Sequence, residues 1–374
     1  MATFKGIDLS IDLKNILDGL KTINNPEDIF GDLGTTDSIV MLQEIRLKHK
    51  QIANTIHPDH HNNSKEAHEA MSLLNVWRDK AEQKVVQGLW GEKDSGISIK
   101  TSKLYKNVKY VTTGDICDIY LAQQEDGPRA IIKAAIDRKD QSYVNNEATI
   151  LQQLWEPTDA EAKVFQKYIP KFLEQTIITV DKKEQLANII EIRDGGFTLE
   201  QVHQKYKMLD PRHVAWILKR ILEGVGWVNL KQKIVHGAII PSHIVVFPKD
   251  HGAHIIDWSY AVPVNKKHIR AISTNYKDFY PPEVFNKVLA QPSIDIYMAA
   301  KCAVYLLGGD VKTNYIPPTI HPLFSGFLKA CLLTNPMTRY TDTWEAVAQF
   351  TDNLRTIYGP RKFVDLDMEG GSAF

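Results

Sequence analysis

Apolar and polar positions alternate with a helical period in the first quarter of the chain. In residues 38–56, apolar side chains recur at mixed three- and four-residue steps, which predicts an amphipathic helix. Pro58 cannot continue a helix and disfavours the helical conformation at His57, so this helix should end near residue 56. Residues 67–89 show a second helical pattern, and the two helices predict a hairpin. The packing positions are Val40, Leu42, Ile45, Ile52, Ala53 and Ile56 in the first helix, and Ala70, Leu73, Leu74, Trp77, Ala81, Val85 and Leu89 in the second.

The tip of this predicted hairpin carries the tripeptide His57-Pro58-Asp59. It presents an imidazole and a carboxylate on a rigid turn. The polar faces of the first helix carry Arg46, Lys48 and Lys50, and Arg46 lies one helical turn from Lys50. A lone tripeptide of this kind is a helix stop more often than a site, so its neighbours carry the argument.

From residue 108 the pattern changes to short β-prone runs separated by Gly and Pro. Runs at 108–111, 119–122 and 130–133 precede a predicted helix at 141–154, and further runs follow at 176–180 and 187–192. After residue 196 the chain is mainly helical, apart from a predicted hairpin formed by 244–247 and 254–256. The sequence therefore predicts an α+β protein with more than one domain.

The amino-acid composition of the chain limits the classes of function that we expect for it. The 374 residues include 45 basic and 45 acidic side chains, which argues against broad electrostatic capture of nucleic acid or membrane. Three widely spaced cysteines fit neither a disulfide framework nor a zinc pattern. The N-terminal residues lack a signal-peptide core, and no apolar run reaches transmembrane length. We therefore expect a cytoplasmic protein without a nucleic-acid or membrane partner.

The first quarter of the chain resembles the J domain of DnaJ-like co-chaperones. Residues 28–34 resemble that family's short first helix with its closing Leu-Gly pair, and residues 77–90 stand where its third helix closes. The resemblance implies that a DnaK-type chaperone docks on His57, Pro58 and Asp59 and that its ATPase is stimulated. It implies the same docking role for the basic residues Arg46, Lys48 and Lys50. Gln51 stands where the family often has a basic residue.

Residues 108–358 resemble the protein-kinase fold, with a β-rich lobe followed by a helical lobe. Lys133 stands where the family's lysine contacts nucleotide phosphates, Glu147 where its partner glutamate holds that lysine, and Asp257 where an aspartate binds magnesium. Residues 280–283, 293–297 and 335–339 resemble three later elements of the family. The resemblance also implies a buried ion pair between Glu283 and Arg339.

The residues that carry phosphoryl transfer in that family are replaced here. Ala238 stands in place of the catalytic aspartate and Ile240 in place of the loop lysine. Alanine cannot orient a hydroxyl, and the loss of a positioned general base costs about 10²- to 10⁴-fold in rate. His243 replaces an asparagine that binds the second metal ion. Because imidazole is a poor ligand for magnesium, we expect His243 to be packed or hydrogen-bonded. The chain therefore resembles a pseudokinase.

The sequence leaves two interpretations of Lys133, Glu147 and Asp257 open. In the first, ATP binds with Mg²⁺ held by Asp257. In the second, Lys133 and Glu147 form an ion pair that only stabilises the small lobe. Of the family's three loop glycines only Gly114 is kept, and Asp115 and Asp118 beside it bring negative charge. The candidate nucleotide-binding residues are Lys133, Glu147, Asp257, Gly114, Glu191 and Arg193.

The sequence thus predicts an N-terminal extension (1–24), a J-domain-like hairpin (25–91), a linker (92–105), a bilobal kinase-like domain (106–358) and a flexible tail (359–374). The leading hypothesis is a co-chaperone-like adaptor whose kinase-like domain binds a client, a scaffold or a regulatory nucleotide. One alternative is an unorthodox protein kinase or nucleotidyltransferase that uses Lys133, Glu147 and Asp257. A second alternative is a non-catalytic scaffold with neither activity.

Overall fold

The computed structural model of the chain describes residues 12–23, 25–35, 37–86, 90–91, 98–180 and 183–368. These residues divide into two compact units, one formed by residues 12–91 and the other by residues 98–368. The first unit is helical, whereas the second combines a large sheet with helices. The predicted α+β class with more than one domain is therefore confirmed.

Helix boundaries in the first unit follow from capping residues. Asp37 accepts hydrogen bonds from the backbone N–H groups of Ile39 and Val40, which begins the third helix at residue 38. That helix ends at Ile56, as predicted, and Pro58 begins a short 3₁₀ helix. The fourth helix begins two residues before its predicted start, and residues 87–89 lie outside the described part of the chain. The helices are α1 (Leu13–Thr22), α2 (Glu27–Phe30), α3 (Ser38–Ile56) and α4 (Lys65–Val86).

The core of the first unit brings α1 together with the predicted hairpin. Trp77 is buried and its indole N–H donates to the carbonyl of Leu20 at 3.1 Å, so α4 holds the end of α1. Part of the predicted extension 1–24 therefore packs in this unit, while residues 1–11 and 24 lie outside the described residues. The buried apolar side chains are Ile16, Leu17, Leu20, Ile29, Phe30, Leu33, Ile45, Ile52, Ile56, Ala70, Leu74, Trp77, Ala81 and Val85.

The second unit begins with a six-stranded antiparallel sheet in the order β1-β2-β3-β4-β6-β5. The predicted β-prone runs lie in β2 to β6. β1 and the start of β2 lie in the segment that we predicted as linker. Helix α5 (Gln141–Trp155) packs against the sheet, which confirms the predicted helix. The strands are β1 (Ile99–Lys100), β2 (Leu104–Thr113), β3 (Cys117–Gln124), β4 (Arg129–Ala135), β5 (Phe172–Val180) and β6 (Lys183–Glu191).

The remainder of the second unit is mainly helical. The predicted hairpin is confirmed as β9 paired with β10. Among the described helices of the chain, none combines the length and the apolar character that crossing a bilayer requires. The short strands are β7 (Phe197–Thr198), β8 (Ile234–Val235), β9 (Ile244–Phe247), β10 (Gly252–Ile255) and β11 (Val262–Pro263). The helices are α6 (Ala160–Phe165), α7 (Leu199–Lys205), α8 (Pro211–Leu230), α9 (Pro282–Phe285), α10 (Pro292–Leu306), α11 (Pro322–Cys331) and α12 (Thr343–Tyr358).

The segment after α12 differs from the flexible tail that we predicted from residue 359. Up to Met368 it packs on the second unit, where Leu366 and Met368 are buried. The ring Nε2 of His251 lies 2.7 Å from the carbonyl oxygen of Val364. Apolar side chains at 366 and 368 explain this packing, because burying them removes apolar surface from water. Residues 369–374 lie outside the described part of the chain.

Candidate functional site

The turn between α3 and α4 presents two of the three tripeptide side chains to solvent. The side chain of His57 is 43% exposed and that of Asp59 is 74% exposed, whereas Pro58 is buried. The backbone N–H of Asp59 donates to Nδ1 of His57 at 3.2 Å, which fixes the imidazole over the turn. The buried proline anchors the turn, while the imidazole and the carboxylate point to solvent within 3.4 Å of each other.

The three basic residues that are predicted to dock a partner differ in how accessible their charged groups are to that partner. Lys48 donates to the carbonyl oxygens of Phe30 at 2.7 Å and Asp32 at 3.3 Å, so its ammonium group holds the loop after α2. Arg46 pairs with Glu82 on α4 at 3.0 Å, yet its side chain is 65% exposed. Lys50 is exposed and makes no ion pair within the described residues. Arg46 and Lys50 are therefore the cations that a partner can reach.

One further residue on this surface was missed by the periodicity argument. Leu47 is exposed although it belongs to a helix with a well-packed apolar face. In a helical projection Lys50 lies between Arg46 and Leu47, and the position of Leu47 out of phase with the buried stripe was the available signal. The exposed face of α3 thus combines positive charge with an apolar side chain.

In the second unit, Lys133, Glu147 and Asp257 meet although they lie far apart in the sequence. Lys133 Nζ lies 2.6 Å from Glu147 Oε1 and 3.1 Å from Asp257 Oδ1. Strand β4 supplies the lysine, helix α5 the glutamate, and the segment after β10 the aspartate. The trio predicted from the sequence is therefore assembled, with Lys133 paired to both carboxylates.

Two groups that the sequence did not single out hold Glu147 in place. The buried Asn188 on β6 donates its side-chain N–H to Glu147 Oε2 at 3.1 Å and to the carbonyl of Val144 at 2.8 Å. The backbone N–H of Trp258 donates to Glu147 Oε1 at 3.3 Å. Asn188 faces Lys133 across the β4–β6 ladder, a register that periodicity alone does not reveal. Both carboxylate oxygens of Glu147 are consequently occupied.

Burial and the neighbouring charges shift the pKa values of Lys133 and Asp257 in opposite directions. Burial alone would lower the pKa of Lys133, but the carboxylates of Asp257 and Glu147 raise it above its ordinary value. Burial alone would raise the pKa of Asp257, but Lys133 and then His243 hold it well below its ordinary value. Lys133 and Asp257 are therefore ionised throughout the neutral range. Asp257 also has left-handed backbone angles (φ 61°, ψ 74°), which are uncommon for a non-glycine residue.

The donors around Asp257 do not fit a divalent cation. Magnesium prefers octahedral oxygen coordination. Asp257 Oδ1 faces Lys133 and Oδ2 lies 3.4 Å from His243 Nε2, so both oxygens face cationic or nitrogen groups. The described residues contain no group of three or more His, Cys, Asp or Glu side chains that could hold a metal ion. His243 is hydrogen-bonded to the carbonyl of Ala238, as the sequence predicted.

One buried carboxylate holds the loop of residues 236–243, which contains the predicted replacements Ala238 and Ile240. Asp295 accepts from the backbone N–H groups of His236 at 2.9 Å and Gly237 at 2.8 Å. Ala238 and Ile240 within the loop are completely buried, so neither position offers a polar group to a substrate. Two hydrogen bonds therefore hold the backbone of this loop, and its side chains at positions 238 and 240 are apolar.

The predicted ion pair between Glu283 and Arg339 is confirmed. Arg339 Nη2 lies 2.7 Å from Glu283 Oε2, and the arginine side chain is fully buried. Arg339 also donates to the carbonyl of Ser293 at the start of α10. The pair thus ties α9, α10 and the turn before α12 together.

The remaining candidate nucleotide-binding residues are only partly available. The backbone N–H groups of Glu191 and Ile192 donate to the carbonyls of Lys171 and Arg129, which removes them as donors to a purine. The side chain of Arg193 pairs with Asp250 at 2.5 Å. These bonds hold the end of β6 against β4, against the residue before β5 and against the turn between β9 and β10.

The turn between β2 and β3 closes on itself. The N–H of Gly114 donates to the carbonyl of Cys117 at 2.8 Å, and Thr113 donates to Asp118 at 2.6 Å. Asp115 on this turn is exposed. Burial raises the pKa of the Cys117 thiol to about 12, so the thiol is unreactive and fills space. A phosphate would meet the carboxylates of Asp115 and Asp118 here, and the N–H of Gly114 is already bonded.

Comparison with known proteins adds no assignment to this geometry. No protein-family model matches the chain. No curated protein matches it either. The argument for function therefore rests on the two sites described above.

Proposed function

We propose that this chain is a co-chaperone-like adaptor. Its first unit would act as a J domain that docks a DnaK-type chaperone through His57, Pro58 and Asp59 and stimulates ATP hydrolysis by that chaperone. Its second unit would act as a kinase-like binding module for a client, a scaffold or a regulatory nucleotide, without phosphoryl transfer of its own.

The observation that carries the proposal is the availability of the tripeptide. The imidazole of His57 and the carboxylate of Asp59 are exposed on a turn that is fixed by a buried proline and a backbone hydrogen bond. Such fixed, exposed polar groups reduce the conformational entropy that a partner must remove on binding. Arg46 and Lys50 lie on the adjoining helix and can attract an acidic surface.

The kinase-like part of the proposal is supported by three arrangements in the second unit. A β-rich region precedes a helical region, Lys133 pairs with Glu147, and a buried ion pair joins Glu283 to Arg339. The resemblance to protein kinases implies each of these three arrangements. The apolar Ala238 and Ile240 support the absence of phosphoryl transfer, because neither side chain can bind a proton or a phosphate.

The direct test measures steady-state ATP turnover by a purified DnaK-type chaperone, with and without the full chain. We expect the chain to raise turnover and His57→Gln to remove the increase. His68→Gln is the matched control, because His68 is an exposed histidine on α4 and lies outside the tripeptide. Equal stimulation by the wild type and His57→Gln would exclude the proposed docking role, as would the absence of any stimulation.

A further inference from the structure

Three large apolar side chains are exposed close together at the end of α9. Phe285 is the last residue of this helix, and Val288 and Leu289 follow it in the chain. Their exposed fractions are 51%, 44% and 47%, whereas the neighbouring Val284 and Ala290 are buried. A single exposed apolar side chain is ordinary at a protein surface, but a group of them indicates an interaction site.

The segment of residues 262–292, which contains these side chains, is unbalanced in charge. It has two carboxylates, of which Glu283 is buried against Arg339 and Asp278 is half-buried. Its lysine and arginine side chains are all exposed, although the whole chain has equal numbers of basic and acidic residues. These cations are Lys266, Lys267, Arg270, Lys277 and Lys287. The surface of this segment therefore attracts negative charge.

Backbone hydrogen bonds bring part of this charge beside the apolar side chains. The N–H of Asn265 donates to the carbonyl of Ala290, and the N–H of Ala290 donates to the carbonyl of Lys267, each at 2.8 Å. Residues 265–267 are therefore attached to the residue that directly follows Leu289. We name the exposed side chains of the two attached segments the basic-apolar face, and they are Lys266, Lys267, Phe285, Lys287, Val288 and Leu289.

The polar groups of the basic-apolar face are available to a partner. Its three lysines make no ion pair within the described part of the chain. The neighbouring Arg270 differs, because its guanidinium lies over the ring of Tyr143, 4.5 Å from the ring centre. No N–H of the described residues donates to the backbone carbonyl oxygens of residues 286–289. A partner can therefore pair with the ammonium groups and donate hydrogen bonds to these carbonyls.

The chemistry of this face favours an acidic peptide over other classes of partner. A second copy of the chain in a symmetric dimer would place the same cations against each other. A lipid bilayer offers no N–H donors to the carbonyls of residues 286–289, and unsatisfied backbone groups are costly in lipid. Nucleic acid matches the cations, but its phosphates leave Val288 and Leu289 without apolar contacts. A peptide supplies carboxylates, apolar side chains and backbone N–H groups together.

We propose that the basic-apolar face docks a peptide segment of another protein that combines acidic side chains with apolar ones. The carboxylates pair with the three lysines, and the apolar side chains cover Phe285, Val288 and Leu289. This inference rests on the binding role proposed for the second unit, and it names the class of partner that this unit binds.

The test begins with selection of a phage-displayed library of random peptides on the full chain at low salt. We expect the selected peptides to be enriched in Asp and Glu together with large apolar residues. Fluorescence anisotropy then measures the affinity of one labelled selected peptide. We expect Lys266→Glu/Lys267→Glu/Lys287→Glu to bind it about 10- to 100-fold more weakly than the wild type, because carboxylates then face carboxylates.

The control for this variant reverses three exposed lysines outside the face. Lys163→Glu/Lys312→Glu/Lys329→Glu changes the net charge of the chain by the same amount. It should bind the peptide as tightly as the wild type. Circular dichroism checks that both variants are folded.

A second pair of variants tests the apolar part of the face. Val288→Ser/Leu289→Ser should weaken peptide binding about 10-fold, because the apolar contacts are lost while the lysines stay. The matched control is Val164→Ser/Ile177→Ser, since these side chains are 49% and 63% exposed on α6 and β5. This control should bind the peptide as the wild type does.

Three results would overturn the inference. The first is a selection that yields no peptides, or peptides without acidic residues. The second is equal loss of peptide binding in a face variant and its control. The third is binding of a single-stranded DNA oligonucleotide or of phosphatidylserine vesicles that is tighter than peptide binding and is abolished by reversing the three lysines of the face.

The ATP-turnover assay separates this inference from the function proposed for the first unit. Stimulation that depends on His57, without selection of acidic peptides, overturns the docking inference alone. Acidic peptides that bind the face, without stimulation of the chaperone, overturn the proposed role of the first unit alone.

Discussion

The two candidate sites use similar ionic groups in opposite ways. At the turn after α3, the side chains of His57 and Asp59 are 43% and 74% exposed, and they contact mainly solvent and each other. At the cluster in the second unit, Lys133 and Glu147 are 9% and 1% exposed and pair with each other at 2.6 Å. The first arrangement leaves polar atoms for a partner, whereas the second uses them within the protein. Residue type alone does not distinguish a binding site from a structural connection.

The largest expected effect of a substitution is at the buried cluster. Lys133→Ala leaves the carboxylates of Glu147 and Asp257 without their cation, and breaking a buried pair from one side costs about 3–5 kcal/mol of the free energy of unfolding. Urea denaturation of the second unit within the full chain measures this. Lys139→Ala is the control, because its ion pair with Asp137 is highly exposed, and it should cost less than about 1 kcal/mol. Equal costs for the two variants would contradict a structural role for the cluster.

A pH-dependent loss of stability is expected beside the same cluster. Burial lowers the pKa of His236 to about 3, well below its ordinary value of 6.5. Between these values the unfolded chain binds a proton that the folded chain does not, so the free energy of unfolding falls as pH falls. The slope from this group is at most about 1.4 kcal/mol per pH unit.

The measurement is urea denaturation between pH 7 and pH 4 on the wild type and His236→Gln. The variant should have a shallower pH dependence than the wild type. His268→Gln, at an exposed position, should leave the dependence unchanged. A parallel pH dependence in the wild type and His236→Gln would show that His236 does not contribute.

A smaller effect on stability is expected in the first unit, where it distinguishes the roles of Lys48 and Lys50. Lys48→Ala removes two hydrogen bonds to the carbonyls of Phe30 and Asp32, and bonds from a charged donor contribute about 1.5–3 kcal/mol. We expect thermal denaturation of the first unit to shift downward accordingly. Lys50→Ala, which is exposed, should leave the midpoint unchanged and instead weaken chaperone docking more strongly at low salt. The opposite pattern would mean that Lys48 is the docking residue.

The smallest expected effect is the stability change at the tripeptide. His57→Gln should alter the free energy of unfolding by less than about 0.5 kcal/mol, because the imidazole is exposed and Pro58 anchors the turn without it. Denaturation followed by circular dichroism tests this. A large loss of stability would give the histidine a structural role and would weaken the contrast between the two sites.

Local chemistry in the sequence accounts for much of the fold. Pro58 ends α3 at Ile56, as predicted, because proline cannot continue a helix and restricts the residue before it. Alternating β-prone runs broken by Gly and Pro located most of the sheet strands and the β9–β10 hairpin. The sequence did not reveal that residues up to Met368 pack on the second unit. That packing depends on the positions of His251 and of the core, which are distant along the chain from the residues up to Met368.

By itself, the sequence determined which chemical groups the two sites contain, and through capping residues, proline and apolar periodicity it determined most helix and strand positions. Only the tertiary structure decided how those groups are used. The distances from Lys48 to Phe30 and from His243 to Asp257 join segments that are separated along the chain. Ionic interactions depend on separation in space and on burial, and neither quantity can be read from sequence spacing.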